Sequence, residues 1–343
     1  MSDQAQGLRA LADQARHNQS GDTLSAPRVP AMPDDLAPLR DASAPATAFA
    51  AVDGRFTFAE GNGAKDLSGP KQTHARVVAV TSGKGGVGKT NFSTNLSLTL
   101  AKAGQRVIVL DADLGLANLH VIMGVNPPYN LEHVMYGHRR LCDILHTGPG
   151  GVKIIAGGSG ITELANLDEP TRLAFVSGMR ELDALADVIL IDTGAGLSRN
   201  VLAFLCAVEE IIVVTTPEPT AITDAYATIK VVSMENPSAR LSLVVNMAHS
   251  EAEAQAVADR LMLISERFLN VKLEFLGFIP QDPTVSRAVR NQSPFVLSQP
   301  TCLAAQGVQR IASQLGYARP APGPIAGFSG LMNRMQRFFG IKS

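Results

Sequence analysis

Between an apolar run at Val77–Val80 and a helical pattern from Asn91 to about Ala103, the chain reads Ser82-Gly83-Lys84-Gly85-Gly86-Val87-Gly88-Lys89-Thr90. The spacing is Gly-x-x-x-x-Gly-Lys-Thr, and few folds can use it. Its glycines let the backbone wrap so that successive N–H groups converge on phosphate oxygens, and the helix that follows adds the positive end of its dipole. Lys89 is placed to reach β- and γ-phosphates, and the Thr90 hydroxyl to ligate Mg²⁺. Gly83 through Asn91 (Gly83, Lys84, Gly85, Gly86, Val87, Gly88, Lys89, Thr90 and Asn91) form the expected cradle.

A strand before the loop and a helix after it demand an α/β sheet, and the rest of the chain supplies one. Apolar runs recur at Val77–Val80, Val107–Leu110, Val152–Ala156, Val188–Ile191, Ile211–Val214, Leu241–Val245 and Phe275–Ile279, separated by longer amphipathic stretches. Near-continuous apolar strands divided by helices indicate a parallel sheet covered on both faces. The expected fold is a doubly wound, mostly parallel α/β P-loop domain over 75–318, flanked by disordered linkers. Five segments follow: a short helix at 1–18, a Pro/Ala/Gly/Ser-rich linker at 19–74, the domain, a Pro/Gly linker at 319–327 and a periodic stretch at 328–343.

Composition narrows the function class. A formal charge of −1 argues against a generally basic nucleic-acid binder, so no direct nucleic-acid contact is expected. Cys142, Cys206 and Cys302 form no C-x-x-C, which removes a paired-cysteine zinc or Fe–S site and fits a reduced compartment. The first residues carry no secretory h-region, and no apolar run reaches the roughly 18 residues of a membrane span. A cytoplasmic protein, peripheral to a membrane at most, is the expectation.

Two strand ends carry acids. Val107-Ile108-Val109-Leu110-Asp111-Ala112-Asp113 places two carboxylates on the ligand edge of the sheet, Asp113 to orient an attacking water and Asp111 near Mg²⁺. Val188-Ile189-Leu190-Ile191-Asp192-Thr193 ends in Asp192, a second expected Mg²⁺ partner acting through water. Taken alone, each acid could equally be a helix cap. Lys84, a second lysine in a loop that needs one, could on spacing alone be an exposed surface lysine.

The run Lys84-Gly85-Gly86-Val87-Gly88-Lys89-Thr90 resembles the deviant Walker A motif of the MinD/ParA/NifH-type ATPases. The resemblance implies ATP and Mg²⁺ as cofactors and a homodimer in the ATP state. Within that dimer, Lys84 crosses to the partner's phosphates and joins Lys89 and Asp113 as a catalytic group. It also places Asn246, Pro280 and Asp282 at adenine. Three further runs resemble flagellar-number regulators of the FlhG/FleN type: Asp111–His120, Glu218-Pro219-Thr220-Ala221-Ile222-Thr223-Asp224-Ala225-Tyr226, and Val245-Asn246-Met247-Ala248. So does Asp3-Gln4-Ala5-Gln6-Gly7-Leu8-Arg9, similar to the D-Q-A-x-x-L-R element through which such proteins stimulate the FlhF GTPase. Asp3, Gln4, Ala5, Leu8 and Arg9 are its expected contacts. Implied partners are FlhF and a flagellar transcription activator or switch-ring proteins. A MinD-type division-site regulator and a ParA-type partition ATPase remain the alternatives.

At 100° per residue, Phe328, Leu331, Met332, Met335, Phe338 and Phe339 fall within a sector of about 120°, with Asn333, Arg334, Gln336 and Arg337 outside it. Such a helix reads as an interfacial membrane anchor. Helix packing on the parent domain is the other reading. The tether before it favours release, and the expected location is the cytoplasm and, reversibly, the inner face of the membrane at the cell pole.

Overall fold

The computed structural model describes residues 75–113, 118–158, 178, 181–317 and, near the C-terminus, 330, 331, 334, 335 and 338. The segment carrying Asp3, Gln4, Ala5, Leu8 and Arg9 lies outside them, as do Phe328, Met332 and Phe339 and both expected linkers.

Eight strands form one sheet: β1 (Arg76–Ser82), β2 (Val107–Ala112), β3 (His146–Thr147), β4 (Lys153–Ile155), β5 (Val188–Ala195), β6 (Glu210–Thr215), β7 (Arg240–Ala248) and β8 (Leu273–Pro280). Their spatial order is β3-β4-β2-β5-β1-β6-β7-β8. Every pairing is parallel except that of β3 with β4. The seven apolar runs are the seven parallel strands. The edge strand β3 has only two residues, too few to carry a period. Starting at β1, the chain winds outward through β2 to β4, returns through β5, then continues on the other side through β6 to β8. The end of β1 therefore stands where the winding changes direction, at the place such sheets bind ligands.

The helices are α1 (Lys89–Lys102), α2 (Leu119–Ile122), α3 (Leu131–Met135), α4 (Arg199–Ala207), α5 (Pro219–Glu235), α6 (Glu251–Leu269), α7 (Pro283–Arg290), α8 (Phe295–Ser298) and α9 (Leu303–Tyr317). Alternate strand residues face opposite layers, which explains why both parities had to be apolar. Val78, Val80, Val109 and Leu190 pack with Phe92 and Leu96 of α1 and Ile311 of α9. Val77, Ile108, Ile189 and Ile191 pack with Phe204 of α4, Ile229 of α5 and Leu261 of α6. Each such buried aliphatic or aromatic side chain contributes roughly 1.5–3 kcal/mol. At the opposite end of the sheet from the loop, the Arg76 guanidinium donates to Glu210 of β6 and, at 2.6 Å, to the Leu315 carbonyl of α9, fastening three elements together.

The C-terminal stretch departs from the expected free anchor. Leu331 and Met335 are each only 1% exposed and belong to the same core cluster as Phe204, Ala207 and Val208, with Phe338 packed at its margin. Arg334, on the flank, donates through Nε to the Ala207 carbonyl at 2.6 Å and lies 3.3 Å from Glu209. Ala207 ends α4, whose last carbonyls lack helical partners, so the guanidinium caps that end. An apolar stripe suits lipid or protein alike, and periodicity alone does not say which surface it meets. Here it meets its own domain.

Leu331→Ala should remove the larger share of that docking, at about 2–5 kcal/mol for a buried leucine truncated to alanine. Amide exchange across 330–338 should then accelerate while exchange in β1, β5 and α1 stays as in wild type. Identical protection in variant and wild type would show that Leu331 does not hold the stretch in place.

Candidate functional site

The loop between β1 and α1 is shaped by close approach as much as by turn geometry. Gly86 and Gly88 sit in the left-handed region, at φ of 84° and 85°, where a side chain would be strained. Gly88 is also the N-cap of α1, and no side chain caps that helix. Its first N–H groups are left for a ligand. A Cβ on Gly83 would stand 2.2 Å from the Asp224 carbonyl oxygen in α5, and one on Gly88 would stand 2.3 Å from Nδ2 of Asn246. The loop is thus pressed between the first turns of α5 and the end of β7.

Parallel register brings the acids together. Asp111 of β2 pairs directly with Asp192 of β5. Lys89 reaches down from α1 and places Nζ 3.0 Å from Oδ1 of Asp192, both side chains buried. Ser93, one turn further along α1, donates to the same oxygen at 2.8 Å. Oδ2 of Asp192 is buried and has no hydrogen-bond partner among the described residues. Asp111 accepts from the backbone N–H of Leu119 at 3.1 Å and of Asp113 at 3.2 Å. Burial, and next the charge of Asp192, push its carboxyl up to about 7. Asp113 lies beside the end of β5, its Oδ1 3.6 Å from where a Cβ on Gly194 would be.

These residues fit Mg²⁺. An orphaned carboxylate oxygen, a second carboxylate beside it and the Thr90 hydroxyl at the helix start are hard oxygen donors. Mg²⁺ is commonly held by one or two carboxylates, waters and substrate phosphates. A divalent cation here would also relieve the repulsion that raises Asp111.

Lys84 points elsewhere. Its Nζ lies 2.6 Å from Oε1 of Glu218 and 2.8 Å from the Thr220 hydroxyl, at the exposed start of α5. The ammonium, followed by the Thr220 hydroxyl, holds the Glu218 carboxyl below the usual carboxylate range. In the isolated chain this lysine is parked away from the cradle.

The residues expected at adenine have protein partners in the isolated chain. The Asn246 amide donates to the Val87 carbonyl at 2.7 Å, bracing the P-loop from β7. Asp282 caps α7 by accepting from Thr284 N at 2.8 Å, and its other oxygen accepts from Ala304 N at 3.2 Å. Both oxygens are engaged in joining α7 to α9. Pro280 ends β8, and the residue after it, Gln281, is the one that lines the neighbouring cavity. That cavity, of about 590 Å³, runs beside Gly85, Gly86 and Val87 and is also lined by Pro217 and Met247. Ser93 and Met247 were not anticipated from the sequence. Ser93 could have been found, because it lies four residues after Lys89 and so on the same helical face. Nothing in the apolar run of β7 announces the bulge at Met247.

Residues 78–295 match the profile of the CobQ/CobB/MinD/ParA nucleotide binding domain. The chain is 40% identical to the antiactivator FleN of Pseudomonas aeruginosa over 240 residues, 70% of this chain and 86% of that protein. It is 37% identical to the flagellum site-determining protein YlxH of Helicobacter pylori over 252 residues, 71% of this chain and 82% of that one. The fold resembles the septum site-determining protein MinD of Pyrococcus horikoshii in complex with Mg-ADP. That likeness has a TM-score of 0.57 and 27% identity, covering 70% of this chain and 96% of that one.

Two outcomes follow from the geometry. Gly83→Ala drives a methyl into the α5 backbone and should abolish nucleotide binding in a titration calorimeter; wild-type affinity would mean the two segments separate freely. Asp111 has a folded-state value near 7 against an ordinary 3.8, so the folded chain holds a proton there that the unfolded chain has lost. Stability tied to this group is full below the lower value and declines as pH rises toward 7. The melting temperature of Asp111→Asn relative to wild type should therefore climb between about pH 4.5 and 7.5. A constant difference would place Asp111 in its charged form throughout.

Proposed function

We propose that this chain, which belongs to the CobQ/CobB/MinD/ParA nucleotide-binding family and to its FleN/YlxH-like group, is an ATP-driven dimerising switch that regulates flagellar number and placement. The observation that carries the reading is the position of its two loop lysines. Lys89 is buried against Asp192, while Lys84 is held at the surface by Glu218 and Thr220, where a second subunit could take it.

When ATP and Mg²⁺ bind, Lys89 exchanges Asp192 for the β- and γ-phosphates. Thr90, Asp111 and Asp192 would hold the cation, which would supply positive charge to the phosphate oxygens. Lys84 leaves Glu218 and reaches across a nucleotide-sandwiched dimer. Asp113 orients a water whose oxygen attacks the γ-phosphorus, one of its protons passing to a γ-phosphate oxygen. The bond to the β–γ bridging oxygen breaks, and charge gathering there is met by Lys89 and by the partner's Lys84. With so few groups at the water, hydrolysis is slow and serves as a timer.

The dimer also changes where the protein resides. The docked stretch containing Leu331 and Met335 is released, and two weak amphipathic anchors on one dimer bind a membrane far more tightly than one through avidity. Hydrolysis returns a cytoplasmic monomer. Asp3, Gln4, Ala5, Leu8 and Arg9 stimulate the FlhF GTPase, and a flagellar transcription activator or the switch-ring proteins receive the signal. FleN and YlxH, named for antiactivation and for flagellum site determination, support this assignment.

Light scattering with Mg-ATP tests the switch. Wild type should double its mass and Lys84→Ala should remain monomeric. Asp113→Ala should form the dimer yet release phosphate at least about a hundredfold more slowly. Lys89→Ala should bind no nucleotide. An Asp113→Ala protein that stays monomeric with ATP would sink the mechanism, and a gene deletion leaving flagellar count and position unchanged would sink the flagellar role.

A further inference from the structure

Ser93 sits one turn into α1 and is fully buried. Its hydroxyl has two acceptors in reach, Oδ1 of Asp192 at 2.8 Å and the Lys89 carbonyl at 3.1 Å. One proton serves only one of them. A charged acceptor makes the shorter and roughly twice stronger bond, so the carboxylate takes it. The Lys89 ammonium stands 3.0 Å from the same oxygen. Asp192, itself shut off from solvent, is therefore held at Oδ1 by two partners that differ in kind. One is the tip of a long, flexible side chain. The other is a short arm on the body of the helix, and it cannot travel.

We propose that Ser93 is a positioning residue that keeps hold of Asp192 when Lys89 leaves it for the phosphates, so that the lysine is released without orphaning the carboxylate. The inference rests on the nucleotide-binding reading above. A buried carboxylate stripped of its only partner is strongly unfavourable, and that state would otherwise oppose every binding event. The bond to Oδ1 also fixes the plane of a side chain whose last torsion is broad. Oδ2, which has no partner among the described residues, then keeps one direction. Without nucleotide the serine is largely redundant, since Lys89 already holds Asp192. Its contribution appears when the phosphates arrive.

Calorimetry of ADP binding to the full chain in EDTA isolates that contribution, because no cation is present to compensate Asp192. Ser93→Ala should bind ADP about tenfold more weakly than wild type. That is the lower end of what a hydrogen bond to a charged group is worth, since part of the bond's effect is present without nucleotide. The variant should fold, as Lys89 still pairs with Asp192 and alanine favours a helix. Ser93→Cys keeps nearly the same shape with a weak donor and should lose affinity in the same way. In Asp192→Asn protein no charge is left to orphan, and the serine hydroxyl can turn to the Lys89 carbonyl. Adding Ser93→Ala there should leave ADP affinity unchanged. Wild-type affinity in either single variant at Ser93, or an equal loss with and without Asp192→Asn, would overturn the role of Ser93 and leave nucleotide binding intact. ADP binding by wild type only when Mg²⁺ is present would mean that the cation holds Asp192 in place of Ser93, and would overturn that role too. Wild-type protein that binds no ADP under either condition would overturn the nucleotide reading and this inference with it.

Discussion

The contact between Lys89 and Asp192 joins the first residue of α1 to the middle of the sheet in a place where neither charge sees water. Breaking such a buried pair by removing one member costs about 3–5 kcal/mol, because the survivor is left charged and unpaired. The surrounding arrangement follows from that constraint. Ser93 donates to the same carboxylate oxygen, and the parallel register sets Asp111 beside it. The lysine holds the helix start close to the strand end, and the glycines complete a loop that is already folded around the space a phosphate would fill. Ligand binding then exchanges one anion for another at Lys89, with little backbone to reorganise.

Pressure on the loop from two sides extends this preorganisation. Asp224 of α5 leaves no room for a Cβ at Gly83, and Asn246 of β7 leaves none at Gly88. The start of α5 also carries Glu218 and Thr220, which hold Lys84. The first turns of one helix therefore touch both the backbone of the loop and its outer lysine. A displacement of α5 would alter phosphate geometry and lysine availability together.

How much of this could be read in the sequence depends on the range of each signal. The loop, the seven parallel strands and Asp111 and Asp192 were legible because they rest on local spacing and on apolar runs long enough to show a period. The strand β3, with two residues, has no period to show. Asn246 and Asp282 were recognised as polar residues at the right sheet edge, but their roles depend on distant partners, Val87 and Ala304, that no local pattern names. Met247 was read only as part of the run Val245–Ala248, because the register shift that turns it out of the ladder depends on pairing with β8 and leaves no mark in an apolar run. For the C-terminal stretch, the stripe of Leu331 and Met335 was seen correctly, whereas the surface that receives it is built by α4, more than a hundred residues earlier in the chain.

That same two-residue β3 has a consequence at the rim of the molecule. Exposed sheet margins offer rows of unpaired N–H and C=O groups on which another chain can lengthen the ladder. Here the strand beside β4 runs the opposite way, ends after Thr147 and turns at Gly148 and Pro149, so it presents almost no template. A short antiparallel border of this kind resists uncontrolled strand addition at the β3 rim. The guard lies apart from the nucleotide loop at the centre of the sheet.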